Sequence, residues 1–528
     1  MVTEQAHQGL CWRRMASRRR WLWLLLLALA TGAACPLLSR LMNANERPRL
    51  LQAIAIVDHG SIALDAVVAR GIDPGIDVAR GLDGRLLPNK PPGATLPAVI
   101  AYGALRLVAA AGGPTPTLFA LTWSSRLLGA WLPTMLLAWS IARRLGDDDR
   151  ARAAATLVIV STPMLSYAHV LFGHSLAALS LWIGVLSIHD ALHDDRAARA
   201  RRHAVLGGFV AAFAVVVEYG AIVAAIPLTA MLWPALRDHR RATAWAAVAG
   251  AVVPMLALAA YHQLAFGSPW STGYHRVVDE GFATIHGHGL LGFTWPHAGQ
   301  LVEDLVSPWG GLLYWAPLVV FVPLAWRTPD QAGVPMRTMT WIFVAFLVLT
   351  LGLEQAGGWR VGPRYLVAAL PMLAPAFVVV LRRLRGREGA LALLLGAAVF
   401  ATVCNALAAN LFPHLVPDGN PLRDLLIPLL WRGMHPHGIV PFADVVGGLA
   451  ALGALGFVLT ASVPAGRRAA VGGASLVVAG IVAAVAWSLP SADDADATLT
   501  SIVAIWEPGG AREPKRVPLA EAITSPSR

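Results

Sequence analysis

The chain has little charge, almost no lysine and almost no cysteine. Only 14% of its 528 residues are charged, against 56% hydrophobic, which excludes a soluble globular domain of ordinary composition. The three cysteines, Cys11, Cys35 and Cys404, offer neither a disulfide framework nor a zinc spacing. Lysine occurs only at Lys90 and Lys515, so arginine carries nearly all of the positive charge behind the net +11. Most of that charge lies in short loops between apolar runs. There it reads as a topology signal, not as a nucleic-acid patch.

What the chain has in abundance is apolar stretches of about 17–25 residues, each long enough to cross a hydrocarbon core of ~30 Å. An all-α polytopic membrane protein follows. "RRMASRRR" before "WLWLLLLALATGAACPLL" reads as a signal-anchor, with residues 1–20 a basic cytoplasmic N-terminus. The run 94–111, "ATLPAVIAYGALRLVAAA", is ambiguous. If it crosses, the arginine-rich loops 143–152, 193–203, 236–243 and 382–388 all face outward, inverting the positive-inside bias. Read as interfacial, it puts every one of them in the cytoplasm.

The expected spans are then about 21–38, 119–142, 153–168, 174–192, 204–217, 219–235, 244–262, 309–326, 339–354, 365–381, 389–411, 441–461 and 469–489. That is a membrane domain over 21–489 with thirteen helices, N-terminus inside and C-terminus outside. The exterior face would hold a long first loop (39–118), the segments 263–308, 354–364 and 412–440, and the tail 490–528 with its strand-like "SIVAIW". Long ordered loops are usually functional.

In the first loop, Leu50, Leu51, Ile54 and Val57 recur at helical spacing after Pro48. This predicts an amphipathic helix on the membrane surface, with Glu46 and Arg49 at its entrance. Asp58, Asp65, Asp73, Asp77 and Asp83 follow, mostly in Gly-rich sequence where solvated turns are the default. In "DGRLLPNKPPG" the two prolines hold the backbone extended and rigid at Lys90. Arginine would snorkel to lipid headgroups equally well, so a lone ammonium points instead to a phosphate partner. "GGWRVGPRYL" sets Arg360 and Arg364 about a Gly-Pro turn, as interface anchors or as a phosphate clamp. Glu218 is ionisable within apolar sequence at a predicted turn. Tyr167 and His174 flank an exterior helix junction, where they could line a polar cavity or cap helices. His286, His288 and His297 have no firm metal-ligand spacing.

An acid followed by arginine three residues on, a helix ending near a glycine, and then Lys-Pro-Pro resembles the first exterior loop of the GT-C glycosyltransferases. Lipid A aminoarabinose transferases and protein O-mannosyltransferase-like enzymes (family 39 type) are the nearest pattern. "FGSPWSTGY", "SPWGGLLYWAP" and "GPRYL" are similar to segments of bacterial members.

The resemblance implies inverting transfer of a sugar from a polyprenyl-phosphate donor to a glycan, lipid or protein acceptor on the exterior face of the bacterial inner membrane. It implies no cofactor, no metal and no nucleic acid. Glu46 takes the family's catalytic acid position, with Asp77 and Asp83 as the next candidates. Arg49 takes the positioning arginine and Lys90 the phosphate-contacting lysine; Arg360, Arg364, Tyr167, His174 and Glu218 complete the candidate substrate-binding set. Arg47 and Gly93 depart from the pattern, where a second acid and a leucine are usual, and Glu46 is one methylene longer than the usual Asp. A polytopic transporter or an O-antigen ligase or polymerase-like enzyme is the alternative.

Overall fold

The structure is a computed structural model and describes residues 18–36, 43–326, 328, 333–354, 358–436 and 438–505. Most of the basic N-terminal segment and the last part of the tail therefore lie outside the described residues. The described chain is mostly helical, and eight helices are long and apolar enough to cross a membrane. Seven of them fall on expected spans: His174–His193, Ala197–Val217, Tyr219–Leu236, Arg241–Phe266, Glu388–Asn410, Ala443–Ser462 and Ala465–Ser488. The eighth, Pro92–Ala110, is the segment read as interfacial.

The other expected spans are helical but short or interrupted. Leu118–Arg126 continues through a wider turn at Leu127–Trp131 into Leu132–Arg144, and Asp149–Val160 stops before Pro163. The stretch 312–325 breaks at Ala316, and 364–383 begins as two tight turns around Pro371. Proline removes a backbone donor and crowds the preceding turn, so such sequences satisfy a hydropathy window without making one continuous helix.

Long helices pack closely where side chains are small. Ala197–Val217 lies so near Arg241–Phe266 that a Cβ on Gly208 would sit 1.8 Å from the Ala247 carbonyl oxygen. Such small-residue contacts are how apolar helices associate when lipid offers no hydrophobic contrast.

Two ends of the bundle differ in chemistry. At one, the arginine-rich loops meet: Arg19 pairs with Asp149 at 2.8 Å, Arg144 with Asp190, Arg240 with Asp195 at 3.0 Å, and Arg467 with Glu388. The opposite ends of the same helices carry the first loop and the candidate site.

The first loop folds onto the bundle instead of lying on a surface. The Arg47–His59 helix buries Leu50, Leu51, Ala53, Ile54 and Ala55 against Ala98, Tyr102, Leu118, Leu121 and Leu171. Its apolar face is thus covered by protein, which corrects the expected membrane-surface helix. Strands β1 (Val78–Arg80) and β2 (Leu86–Pro88) form an antiparallel hairpin with Val78 opposite Pro88. Three-residue strands are too short to announce themselves as alternation. "SIVAI" is helical, within Ala495–Ile505, and not strand.

Candidate active site

The hairpin decides where the first loop's charges go. Because Val78 faces Pro88, the preceding Asp77 faces Asn89, whose N–H donates to the Asp77 carbonyl at 3.1 Å. Lys90 follows, and its Nζ lies 3.1 Å from Asp77 Oδ1 and 5.2 Å from the Tyr274 ring centroid. Lys90 and Asp77 are both buried. Pro91 is extended and Pro92–Thr95 makes a tight turn. Gly93 presses on the end of the Ala197–Val217 helix, where a Cβ would meet the Val216 carbonyl oxygen at 2.7 Å. Any side chain at this position would have to push the Val216–Val217 backbone aside.

That contact carries the Lys90 segment to Glu218, which stands in the gap between Val217 and Tyr219. Glu218 Oε2 is 3.2 Å from His174 Nδ1, without the alignment of a hydrogen bond. Burial pushes the Glu218 carboxyl above its ordinary range, while Arg49, Arg364 and Lys90 pull against it; burial wins. The three cations acting on this carboxyl come from the first loop and from a segment more than 270 positions further along the sequence.

Arg364 is buried, stacks over the Tyr365 ring at 4.9 Å and donates to its hydroxyl at 3.0 Å. Its Nε has no hydrogen-bond partner, and among the described residues it forms no ion pair. Tyr167 exchanges hydrogen bonds with the Val361 backbone at 3.2 and 3.3 Å and meets His174 edge-on at 4.9 Å. Tyr274 stacks on His286 at 4.4 Å.

Glu46 and Arg49 stand differently. Glu46 is 3% exposed and receives both arms of Arg126, at 2.8 and 2.6 Å, together with the Leu171 N–H at 2.6 Å and Asn43 Nδ2 at 3.0 Å. Burial opposes its charge, but Arg126 and the Leu171 N–H outweigh burial and hold the carboxyl below its usual range. Burial pushes nearby His414 down to about 3, leaving that imidazole neutral. Arg49, 1% exposed, donates to the carbonyls of Asn45 at 3.1 Å and Leu171 at 3.2 Å and to the Asn45 side chain.

Arg360 lies one layer away. It stacks over Trp309 at 4.6 Å and reaches Asp304 at 3.5 Å and Glu303 at 3.7 Å. Burial raises Asp304 to about 7, with Arg360 pulling against it. Asp83 is in the β1–β2 turn, half exposed and paired with Arg85 at 2.5 Å, apart from the cluster. Among the described residues no three His, Cys, Asp or Glu side chains gather as a metal site.

The structure thus brings together Arg49, Asp77, Lys90, His174, Glu218 and Arg364, with Tyr167 beside them. Tyr274, Tyr365 and Arg126 were not singled out as site residues. Arg126 had a signal: it is a charge inside an apolar run, "LFALTWSSRLLGAW", and such a charge needs a partner. Tyr274 had none beyond its place after "SPWSTG".

The sequence matches no protein-family model and no curated protein. Among solved structures, the chain is similar to ArnT from Cupriavidus metallidurans in the apo state, at 15% identity, 89% of this chain, 78% of that one and a TM-score of 0.43. It is similar to the oligosaccharyltransferase of Archaeoglobus fulgidus at 14% identity, 95% of this chain, 63% of that one and a TM-score of 0.43. The arabinosyltransferase EmbB from Mycobacterium smegmatis gives 14% identity, 89% and 41% coverage, and a TM-score of 0.42. The site described above rests on this chain's own residues.

Proposed function

We propose that the chain is a GT-C-type membrane glycosyltransferase that moves a sugar, with inversion, from a polyprenyl-phosphate donor to an acceptor on the face where its first loop lies. One observation carries the reading. Three buried cations, Arg49, Lys90 and Arg364, face two carboxyls, Asp77 and Glu218, one of which burial holds toward its neutral form. A cationic excess in a dry site needs an anion, and a lipid-linked phosphate supplies one.

Asp77 is the base in this reading. The acceptor hydroxyl gives its proton to the Asp77 carboxylate while its oxygen bonds to the anomeric carbon. The bond from that carbon to the phosphate oxygen breaks on the opposite face, and its electron pair leaves on the phosphate. Lys90 and Arg364 balance the charge that develops there. Glu46, held by Arg126, is the poorer candidate for the same step.

Thirteen crossings with the N-terminus in the cytoplasm of a bacterial inner membrane complete the proposal. Arg126 pairs with Glu46 beside the site, whereas Arg144, eighteen residues on, pairs with Asp190 at the arginine-rich end. Eighteen helical residues span about 27 Å. That length supports a crossing over 126–144 and, with it, the reading of Pro92–Ala110 as an interfacial helix. The test is sugar transfer by membrane vesicles from an undecaprenyl-phosphate-linked donor. Lys90→Ala should lower the rate by at least ~100-fold at normal membrane insertion; an unchanged rate overturns the reading.

A further inference from the structure

The pair Glu46 and Arg126 sits beside the cluster without joining it, although Glu46 heads the first-loop motif. Its two carboxylate oxygens accept four hydrogen bonds, from Arg126 twice, from Asn43 and from the Leu171 backbone. No lone pair is left to reach for an acceptor proton. Leu171 is the informative partner. Its N–H donates to Glu46 at 2.6 Å while its carbonyl accepts from Arg49 at 3.2 Å. One residue of the 168–173 break is thus gripped from both sides.

The same grip organises the start of the Arg47–His59 helix. Asn43 donates to Glu46 and, through Oδ1, accepts the N–H groups of Asn45 at 2.9 Å and Glu46 at 3.3 Å. Asn45, so held, offers its carbonyl and its side chain to Arg49. Arg126 also donates to the Pro36 carbonyl, tying in the segment that follows the helix over residues 18–32. Among the described residues, the two residues that accept from the Arg49 guanidinium, Asn45 and Leu171, are thus each tied through a backbone N–H to Glu46, Leu171 directly and Asn45 by way of Asn43.

We propose that Glu46 and Arg126 are positioning residues that aim Arg49 at the lipid-linked phosphate, acting through Asn45 and Leu171. The inference rests on the glycosyltransferase reading and assigns Glu46 a role other than the base. The low-lying carboxyl agrees with it, because a group held ionised by a bidentate guanidinium is a weak proton acceptor.

The test is a double-substitution cycle. Glu46→Gln and Arg126→Gln each break the charge pair, and each should raise KM for an undecaprenyl-phosphate-linked sugar about tenfold with kcat within about threefold. The double variant keeps an amide-to-amide link and buries no lone charge. Its KM should return to within about threefold of wild type, and the acid limb of its pH profile should be unchanged. A single variant that unfolds does not spoil the test, because the double variant is neutral at both positions and its thermal unfolding in detergent is measured alongside. Loss of kcat by about 100-fold or more in the double variant, or disappearance of the acid limb, makes Glu46 the base and overturns the proposal. Binding of undecaprenyl phosphate to the purified chains, which needs no turnover, should follow the same order. Binding of this lipid by the four chains in that order, with no sugar transfer by the wild type, defeats the function while the positioning role stands. Equal binding by all four chains defeats the role.

Discussion

Lys90 and Asp77 form a buried ion pair, 3.1 Å from nitrogen to oxygen, across the mouth of a hairpin of two three-residue strands. In the proposed reaction, cation and carboxylate serve adjacent atoms of one substrate. The pairing also means that each restrains the other, and the two can be separated by substitution.

Asp77→Asn should abolish transfer, by about 10²–10⁴-fold, because an amide cannot take the acceptor proton. It should leave binding of undecaprenyl phosphate intact or tighter, since Lys90 loses its competing carboxylate. Lys90→Ala should lose both. Isothermal titration beside a transfer assay separates the two variants, and a parallel loss of binding in each would remove Asp77 from the role of base.

Gly93→Leu tests the contact that carries Lys90 to Glu218. The new side chain must displace the Val216 backbone, for which a Cβ alone is already too close. Overpacking of this kind costs about 1–3 kcal/mol. A lower melting temperature together with weakened lipid-phosphate binding is expected; unchanged values for both would show that the segment accommodates a side chain.

Asp304 predicts a pH dependence. Its folded value of about 7 exceeds its ordinary 3.8, so the folded chain holds this proton more tightly than the unfolded one. The contribution to stability is present below about 3.8 and is lost as pH rises toward 7. Thermal unfolding followed from pH 4 to pH 8 should show that decline in the wild type. Asp304→Asn should flatten it, and an equally steep decline in the variant would assign the slope to another group.

Orientation is open to reporter fusions. Fusions at residues 147 and 198 should report the cytoplasm, and one at residue 112 the exterior. If 147 and 198 report the exterior, the helix Pro92–Ala110 crosses the bilayer.

Much of the site was legible because membrane sequence makes polar groups conspicuous. Lys90 stood out in a chain of arginines, and Glu218 in apolar sequence; the structure sets both in one cluster. Asp77 was harder to read, since an aspartate before a short turn resembles a solvated one. Only the pairing of β1 with β2 turns it toward Lys90. The Glu46 environment was hidden for a different reason. Its partner Arg126 lies 80 residues away inside an apolar run, and no local pattern links the two.

Sequence alone determined that this is a polytopic helical membrane protein with arginine-rich loops, because the length and apolarity of its runs answer to bilayer thickness and to water. The helix interruptions, the burial of the first loop and the different surroundings of Glu46, held by Arg126, and Asp77, paired with Lys90, were decided by tertiary structure. Each depends on which distant backbone comes within a few ångströms. Whether a carboxylate is a clamped structural anion or an available base is settled by how many of its lone pairs its neighbours already occupy.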